Sequence, residues 1–404
     1  MVLGFGLEEN LAPAYVVEVG NEILDVGVTD LITAVEYESA DGMADVCKIT
    51  ASNPGFALSE AKVFQPGNEL AIWMGYGNNL TFIGRGIINT VEGDFPDEGM
   101  PSLRVTAFSK DKQMMDNAPP EVKPKKGSKK KGKGGRAFKD SKYSDAVTAR
   151  AEDYGFLTQV DTTPDSPHDF IQKAGMNDYE FVQGLSNLTG FVFWVDGDEA
   201  GNWTLNFVDP EGGGLSDRQE IQYTFEYNTR LATLLSFQPT QTFAGAATKL
   251  VVKTEDPRTG KIIETEVEVD KEDQALSKLL PPGIDGIAAG DPTGSIEGTP
   301  ASGANVKLFI GDYSIEVASG KKFTRPEQVK IWAAQWFRRH REQFILARGK
   351  ITGTEKVMAR QVHTISGAGS LYNGEYYFTR VRHIMTADAG YICDFNARKI
   401  LTDS

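Results

Sequence analysis

The sequence predicts a mainly β protein with a small α/β insertion between two β-domains. Short apolar runs separated by turn residues recur at both ends of the chain, whereas residues 144–208 change to helical patterning. Strands do not alternate with long helices, as they would in a doubly wound or TIM-like fold. The 404 residues, of which 40% are hydrophobic and 24% charged, are enough for two or three globular domains.

The first β-domain is predicted over residues 1–112. Turn residues recur at short intervals there, for example Asp41-Gly42 and Asn53-Pro54-Gly55. In the run LAIWMGY the alternate residues from Leu70 to Tyr76 are apolar, as expected for one buried face of a strand. Trp73 falls on the opposite face, which predicts that this face is covered as well, for instance by a neighbouring subunit.

Residues 113–143 are predicted to form a lysine-rich mobile loop, because they contain too little apolar surface to offset the entropy of ordering. The loop is either simply solvated or makes an electrostatic contact with an acidic neighbour, a polyanion or anionic lipid, which salt would weaken. The chain totals −14 and the segment 123–136 carries +8, so the remainder carries −22 and disfavours specific nucleic-acid binding. The candidate contact residues are Lys123, Lys125, Lys126, Lys129, Lys130, Lys131, Lys133 and Arg136.

The small α/β domain is predicted over residues 144–208. Ser144 is expected to cap a first short helix, and a second is expected over residues 166–173. Asn177 followed by Glu180 is a capping-box arrangement, and Gly190 is a natural stop for the helix that follows.

The second β-domain is predicted over residues 209–404. The run IIETEVEVD alternates apolar and acidic residues and is expected to pair with KLVVKTE. A long loop is expected over residues 271–322 and a docking helix over 325–348, which begins with a proline and a capping-box glutamate. The helix has an aromatic stripe that covers its own β-domain or lies between subunits. The stripe contains Trp332, Trp336, Phe337 and Phe344.

The patterns that carry chemistry are missing from the sequence. Cys47 and Cys393 lie in strand-like runs and are predicted to be buried small hydrophobes, and the four histidines fall in separate segments. Nucleophile-elbow and phosphate-loop motifs are absent. We therefore predict no catalytic residues, no metal and no cofactor, although paired carboxylates of a hydrolase stay open because 56 acidic residues provide many pairs. No stretch approaches the ~20 apolar residues of a membrane span. No secretory signal is recognisable, so assembly in a cytoplasm is expected unless a non-Sec machine exports the protein.

The segment 82–115 contains the pattern Phe82, Gly84, Gly86-Ile87, then Phe95-Pro96, then Leu103, Val105 and Ala107. Further motifs begin at Ser144-Asp145, at Asn177-Asp178-Tyr179-Glu180-Phe181 and at Leu371-Tyr372-Asn373-Gly374. In this order the segments resemble the phage late control protein D family, which is related to the base of VgrG spikes. The lysine tract departs from the family, which has a shorter linker at this point.

The resemblance implies a non-enzymatic baseplate hub of a contractile tail, with two tube-like β-barrels per subunit. It implies a homotrimer that adapts the six-fold tail tube to a three-fold central spike, and therefore a place in the virion tail baseplate. The implied partners are tail tube or tube-initiator proteins, a separate spike protein, wedge proteins and the tape measure. Two alternatives stay open, namely a tail-tip cell-wall hydrolase and a base component of a type VI secretion spike.

Overall fold

The computed structural model describes residues 12–119, 135–139, 141–163, 170–209, 222–227, 229, 233–241, 249–255, 262–268, 313–316 and 345–400. The chain forms two compact units. The first contains residues 1–221, 349–361 and 378–396, and the second contains residues 222–348, 362–377 and 397–404.

The described residues form strands and short helices. The strands of the N-terminal region are β1 Pro13–Val19, β2 Glu22–Ile23, β3 Ile32–Ala40, β4 Val46–Ser52, β5 Glu69–Tyr76, β6 Asn79–Asp94 and β7 Ser102–Phe108. Those of the middle region are β8 Gly135–Phe138, β9 Leu157–Val160, β10 Phe170–Lys173, β11 Val192–Gly197 and β12 Trp203–Val208. Those that follow are β13 Thr224–Glu226, β14 Leu234–Gln241, β15 Lys249–Glu255, β16 Ile262–Glu268, β17 Tyr313–Glu316, β18 Ile345–Thr352, β19 Val362–Ser366, β20 Gly374–Thr386 and β21 Gly390–Lys399. The helices are α1 Val26–Thr29, α2 Ala57–Glu60, α3 Asp111–Asp116, α4 Tyr143–Asp153 and α5 Asp178–Thr189.

The main sheet of the first unit is antiparallel, with the strand order β2-β1-β5-β6-β7-β4-β3-β20. In β4 and β7 the buried and partly exposed residues alternate strictly, because successive side chains point to opposite faces. Val35, Ile49 and Val105 are fully buried on the inner face. The predicted mainly β fold is therefore confirmed.

A glycine in β6 makes room for an inner-face aromatic ring. A Cβ atom at Gly84 would lie 2.2 Å from the ring of Tyr37 in β3. The glycine of the Phe82-x-Gly84 pattern thus allows the ring of Tyr37 to approach the backbone of β6 closely.

The small α/β part packs α4 and α5 against a three-stranded sheet in which β12 pairs antiparallel with β11 and parallel with β9. Asn177 caps α5 as predicted, accepting a hydrogen bond from the backbone N–H of Glu180 at 2.7 Å. Gly190 ends the helix in the left-handed conformation (φ 81°). The core of this part is strongly aromatic and includes Phe181, Phe193 and Phe207.

Trp73 is covered by the small α/β part of its own unit. Its indole Nε1 donates to Glu199 Oε1 at 3.1 Å, and its ring lies 5.4 Å from that of Phe82. Arg85 also reaches this turn, donating to the backbone oxygen of Glu199 at 3.0 Å while pairing with Glu69 at 2.7 Å. At least part of the predicted cover over Trp73 is therefore intramolecular.

Three groups of strand pairings are described in the second unit. β13 pairs parallel with β19, and β19 antiparallel with the residues of β20 that belong to this unit. β14 is the neighbour of β18, which begins in this unit. β15 pairs antiparallel with β16 and parallel with β17. The predicted pairing of KLVVKTE with the IIETEVEVD run is confirmed, from Lys249 opposite Glu268 to Glu255 opposite Ile262.

Three predictions of local structure differ from what is found. The predicted loop 113–143 includes most of helix α3 and the whole of β8, because Met114 and Phe138 contribute to the core of the small α/β part. The predicted helix over 166–173 is wrong where the structure describes it, since residues 170–173 form strand β10 paired with β8. The first helix of this part begins at Tyr143, so its N-cap is Lys142 rather than Ser144.

The compact units also differ from the predicted domain ranges. Residues 1–112 and 144–208 belong to one unit, which also contains the C-terminal residues 378–396. The pairing of β20 with β3, from Arg380 opposite Ala40 to Thr386 opposite Ala34, explains why these distant segments belong together. The sequence pattern of β20 predicts a strand but not a partner as distant as β3.

Candidate functional site

Most of the residues predicted to make contacts lie outside the described part of the chain. This holds for Lys123, Lys125, Lys126, Lys129, Lys130, Lys131 and Lys133, and for Trp332, Trp336, Phe337 and Phe344 of the docking helix. Arg136, the last predicted cation of the tract, is described and lies in β8.

Arg136 is engaged within its own unit. Its Nη1 lies 2.8 Å from Oδ1 of Asp178, a carboxylate whose side chain is only 3% exposed, and 3.7 Å from Asp153. Asp178 also accepts hydrogen bonds from Tyr154 at 2.7 Å and from Gln172 at 2.7 Å. Arg136 therefore neutralises a buried acid at the start of α5, and this bond anchors β8.

The two ends of the lysine tract meet at a single corner of the small α/β part. Before the tract, the backbone oxygen of Pro119 accepts a hydrogen bond from the N–H of Gly175 at 3.2 Å. After it, Gly135 pairs with Lys173 in the β8–β10 ladder. The tract is thus inserted between two anchor points that contact neighbouring residues, and it does not separate two domains.

A buried ionic cluster joins four distant segments of the first unit. Arg360 Nη2 donates to Asp45 Oδ1 at 3.0 Å and to the backbone oxygen of Ala40 at 2.6 Å. Asp45 accepts a hydrogen bond from the hydroxyl of Tyr37 at 2.9 Å, and its own backbone N–H donates to Ser109 Oγ at 2.9 Å. The guanidinium carbon of Arg360 also lies 5.2 Å from the centre of the Trp194 ring.

Arg360 holds an unusual backbone conformation, with φ at 71°. Side chains other than glycine are uncommon there, and the cost has to be offset by local contacts. The hydrogen bonds of Arg360 to Asp45 and to the backbone of β3 supply such contacts.

Asp111 extends the same cluster at the start of α3. The pKa of its carboxyl group is raised to about 7. Burial is the main cause and the charge of Asp45 adds to it, whereas the hydrogen bond from Ser109 and the charge of Arg360 act in the opposite direction. The carboxyl group thus titrates near neutral pH inside the first unit.

A second buried polar cluster surrounds His383. Its Nδ1 lies 2.8 Å from the hydroxyl of Tyr391 and 3.3 Å from Sγ of Cys393, and its Nε2 lies 2.8 Å from the backbone oxygen of Val357. Desolvation lowers the pKa of His383 to about 4 and raises that of Cys393 to about 12. Both groups are therefore neutral at neutral pH, which is the opposite of the thiolate–imidazolium pair of a cysteine nucleophile. The predicted burial of Cys47 and Cys393 is confirmed.

The outer face of the β3–β20–β21 region carries paired charges. Arg380 makes two hydrogen bonds to Glu38, at 2.7 and 2.8 Å. Arg382 lies 2.9 Å from Asp394 and 3.6 Å from Glu36. Asp394, the acid singled out in an apolar run, thus points to this ionic face and is neutralised there.

The described residues hold no cluster of three or more histidine, cysteine or acidic side chains suited to a metal ion. Nor does any described helix have the length and apolarity that crossing a bilayer requires.

Comparisons with known proteins find a similar fold in tail proteins and in a component of the type VI secretion system. A tail protein from Neisseria meningitidis MC58 superposes with a TM-score of 0.63 at 9% identity, over 96% of this chain and 97% of that chain. The 43 kDa tail protein of prophage MuSo2 from Shewanella oneidensis gives 0.61 at 11% identity, over 96% and 98%. The E. coli c3393 protein, a component of the type VI secretion system, gives 0.52 at 9% identity, over 91% and 73%.

Comparisons of sequence do not assign the chain to a family. A family model described as the Alg8 N-terminal domain matches residues 44–204, which is less than half of the chain and does not assign it to that family. No curated protein matches the sequence. At identities near 10% the structural similarities show the fold alone, and this fold is one found in phage-type tail proteins.

Proposed function

We propose that this chain is a structural subunit of a phage-type tail or related injection machine, with no catalytic role. The observation that carries the proposal is the superposition on two tail proteins over nearly the full length of both chains. Function does not follow from fold alone. However, the buried Arg360 and Asp45 neutralise each other, and His383 and Cys393 are held neutral, as suits a rigid scaffold.

The finer part of the proposal is a trimeric baseplate hub that adapts a six-fold tail tube to a three-fold central spike. The ordered resemblance to the late control protein D family supports it. Paired charges on the outer face of β3 and β20 would suit a surface that faces other chains or an aqueous channel. The tube, a separate spike, wedge proteins and the tape measure are the proposed partners, and the virion tail baseplate is the proposed location.

The similarity to a type VI secretion component favours a second candidate, the base of a secretion spike. The two candidates share a subunit role and differ in the machine that contains it.

Native mass measurement of the full chain, alone and with the spike protein encoded nearest to it, tests the proposal. We expect a trimer, either for the chain alone or on addition of the spike protein. In parallel, purified peptidoglycan is incubated with the chain and assayed for soluble muropeptides. A protein that stays monomeric with its spike and releases muropeptides would contradict the structural role and favour the hydrolase.

A further inference from the structure

The tip of the β6–β7 hairpin presents exposed aromatic side chains. Phe95 is 59% exposed and Met100 is 60% exposed, although both are large and apolar. The ring of Phe56, 48% exposed, lies 5.7 Å from that of Phe95. Exposed apolar side chains that are grouped in this way mark interaction surfaces more often than isolated ones do.

The same tip is acidic. Residues 93–101 contain Asp94, Asp97 and Glu98 and no lysine or arginine, so the segment carries −3. All three acids are exposed. Aromatic faces together with carboxylates are the chemistry that binds an ammonium group, through cation–π and charge attraction.

The backbone holds this surface in place. Phe56 has φ at 64°, a left-handed conformation that is uncommon for an aromatic residue. The N–H of Asn53 donates to the backbone oxygen of Pro101 at 2.7 Å, which fixes the segment before Phe56 against the hairpin. The position of Phe56 over Phe95 is thus built into the fold.

We propose that this surface, formed by Phe56, Phe95 and the acids of residues 94–98, binds the lysine tract of a second copy of the chain. Residues 120–134 contain seven lysines and one glutamate, hence +6, which complements the acidic tip. The inference rests on the proposed function, since it supplies a contact between neighbouring subunits of an assembly.

The length of the lysine tract favours binding to the tip of a second copy over binding to the tip of the same chain. The tract begins and ends in the small α/β part, whose core packs against Ile87 in the middle of β6. From Ile87 to Asp94 the strand spans seven steps, or roughly 23 Å at ~3.3 Å per residue. Fifteen residues that must return to their starting corner reach at most about 28 Å, so in its own chain only the apex of a fully extended tract would meet the tip.

The test uses a fluorescent peptide of residues 120–134, titrated onto the full chain in which the seven tract lysines are changed to glutamine. Fluorescence anisotropy is measured at 50 and 300 mM salt. We expect saturable binding at low salt that weakens at least tenfold at high salt, because the contact is between exposed charges. A peptide with glutamine in place of lysine should not bind.

Two receptor variants locate the contact. Neutralising the tip (Asp94→Asn, Asp97→Asn, Glu98→Gln) or changing Phe95→Ser should weaken peptide binding at least tenfold. The matched control neutralises three exposed acids elsewhere (Glu22→Gln, Glu152→Gln, Asp388→Asn) and should change it less than twofold. Circular dichroism and protection of the two buried thiols verify that each variant is folded.

Equal binding to the neutralised tip and to the unaltered tip, or no binding up to millimolar peptide, would overturn the proposal. Either result would leave the subunit role untouched, because that role is tested by mass measurement with the spike protein. Conversely, tip-dependent peptide binding by a chain that stays monomeric would show that the tip can bind the tract but would contradict its assignment to a second copy.

Discussion

The two buried polar clusters of the first unit differ in how they compensate for the loss of hydration on burial. Around His383, the imidazole, the thiol of Cys393 and the hydroxyl of Tyr391 are all neutral and share short contacts. Around Arg360, charges are kept, and the guanidinium is matched by Asp45 and by a backbone oxygen. The stability of a neutral cluster depends on how closely its side chains fit together. The stability of a charged cluster depends on every charge keeping its partner. The predictions below test that difference.

Replacement of Arg360 should have the largest effect on the free energy of unfolding. Arg360→Met removes the cation but leaves Asp45 buried, and breaking a buried pair in this way costs about 3–5 kcal/mol of unfolding free energy. The backbone cost at φ 71° is similar for both side chains, so the loss reports on charge. Urea unfolding measures it, and Arg382→Met on the exposed ionic face is the control, expected to cost less than about 1 kcal/mol. If both variants lost the same free energy of unfolding, the buried charge pair would be no more sensitive to the loss of a partner than a surface pair.

Asp111 should make the stability of the first unit depend on pH. The folded protein binds the carboxyl proton more tightly than the unfolded chain, since the pKa is about 7 rather than 3.8. Stability therefore falls as the pH rises between these two values, by about 2–3 kcal/mol from pH 5 to pH 8.

The variant Asp111→Asn should abolish this part of the pH dependence and be the more stable protein at pH 8. Urea midpoints at pH 5, 6, 7 and 8 for both proteins test this, with Asp388→Asn in an exposed turn as the control. If the urea midpoints of the wild type and of Asp111→Asn changed with pH in the same way, the pKa of Asp111 would not be raised.

Gly353 tests the dependence of the neutral cluster on shape. A Cβ atom there would lie 2.2 Å from the ring of Tyr391, so Gly353→Ala must displace the tyrosine that contacts His383. We expect a loss of about 1–3 kcal/mol from overpacking, independent of pH between 5 and 8. Gly184→Ala in α5 meets nothing within 4 Å and should be neutral or slightly stabilising. Thermal melts of both variants give the comparison, and an unchanged melting temperature for Gly353→Ala would contradict tight packing.

The ionic face should show the smallest effect. Glu38→Gln removes one partner of Arg380 where both side chains are partly exposed, and such pairs contribute about 0.2–1 kcal/mol. The difference should shrink further in 1 M salt because exposed charges are screened. Urea unfolding at low and high salt measures the difference. If the free energy of unfolding fell by more than about 2 kcal/mol, this pair would contribute as much as a buried one.

Local signals in the sequence predicted the local structure well. The Asn177 cap, the Gly190 stop and the β15–β16 hairpin follow from side-chain chemistry within a few residues. Strand β10 was missed because residues 166–173 have a helix-like start, yet Phe170 stacks on Phe138 of β8, a partner brought in from another segment.

The ionic cluster could not be predicted in the same way. Arg360 and Asp45 are far apart in sequence and meet because β20 pairs with β3. Nothing in the run KVMAR marks its arginine as buried. The conformation of Arg360 and the raised pKa of Asp111 likewise depend on contacts between segments.

The meeting of Pro119 and Gly135 at one corner has a consequence for how the protein can vary. Because both anchors are held by residues 173–175, a longer or shorter insertion between them changes only the entropy of closing a loop, about 0.6 kcal/mol for each doubling of its length. Related chains can therefore gain, lose or rewrite this insertion while the surrounding core keeps its structure. The same corner is a suitable place to graft an affinity tag or a foreign peptide.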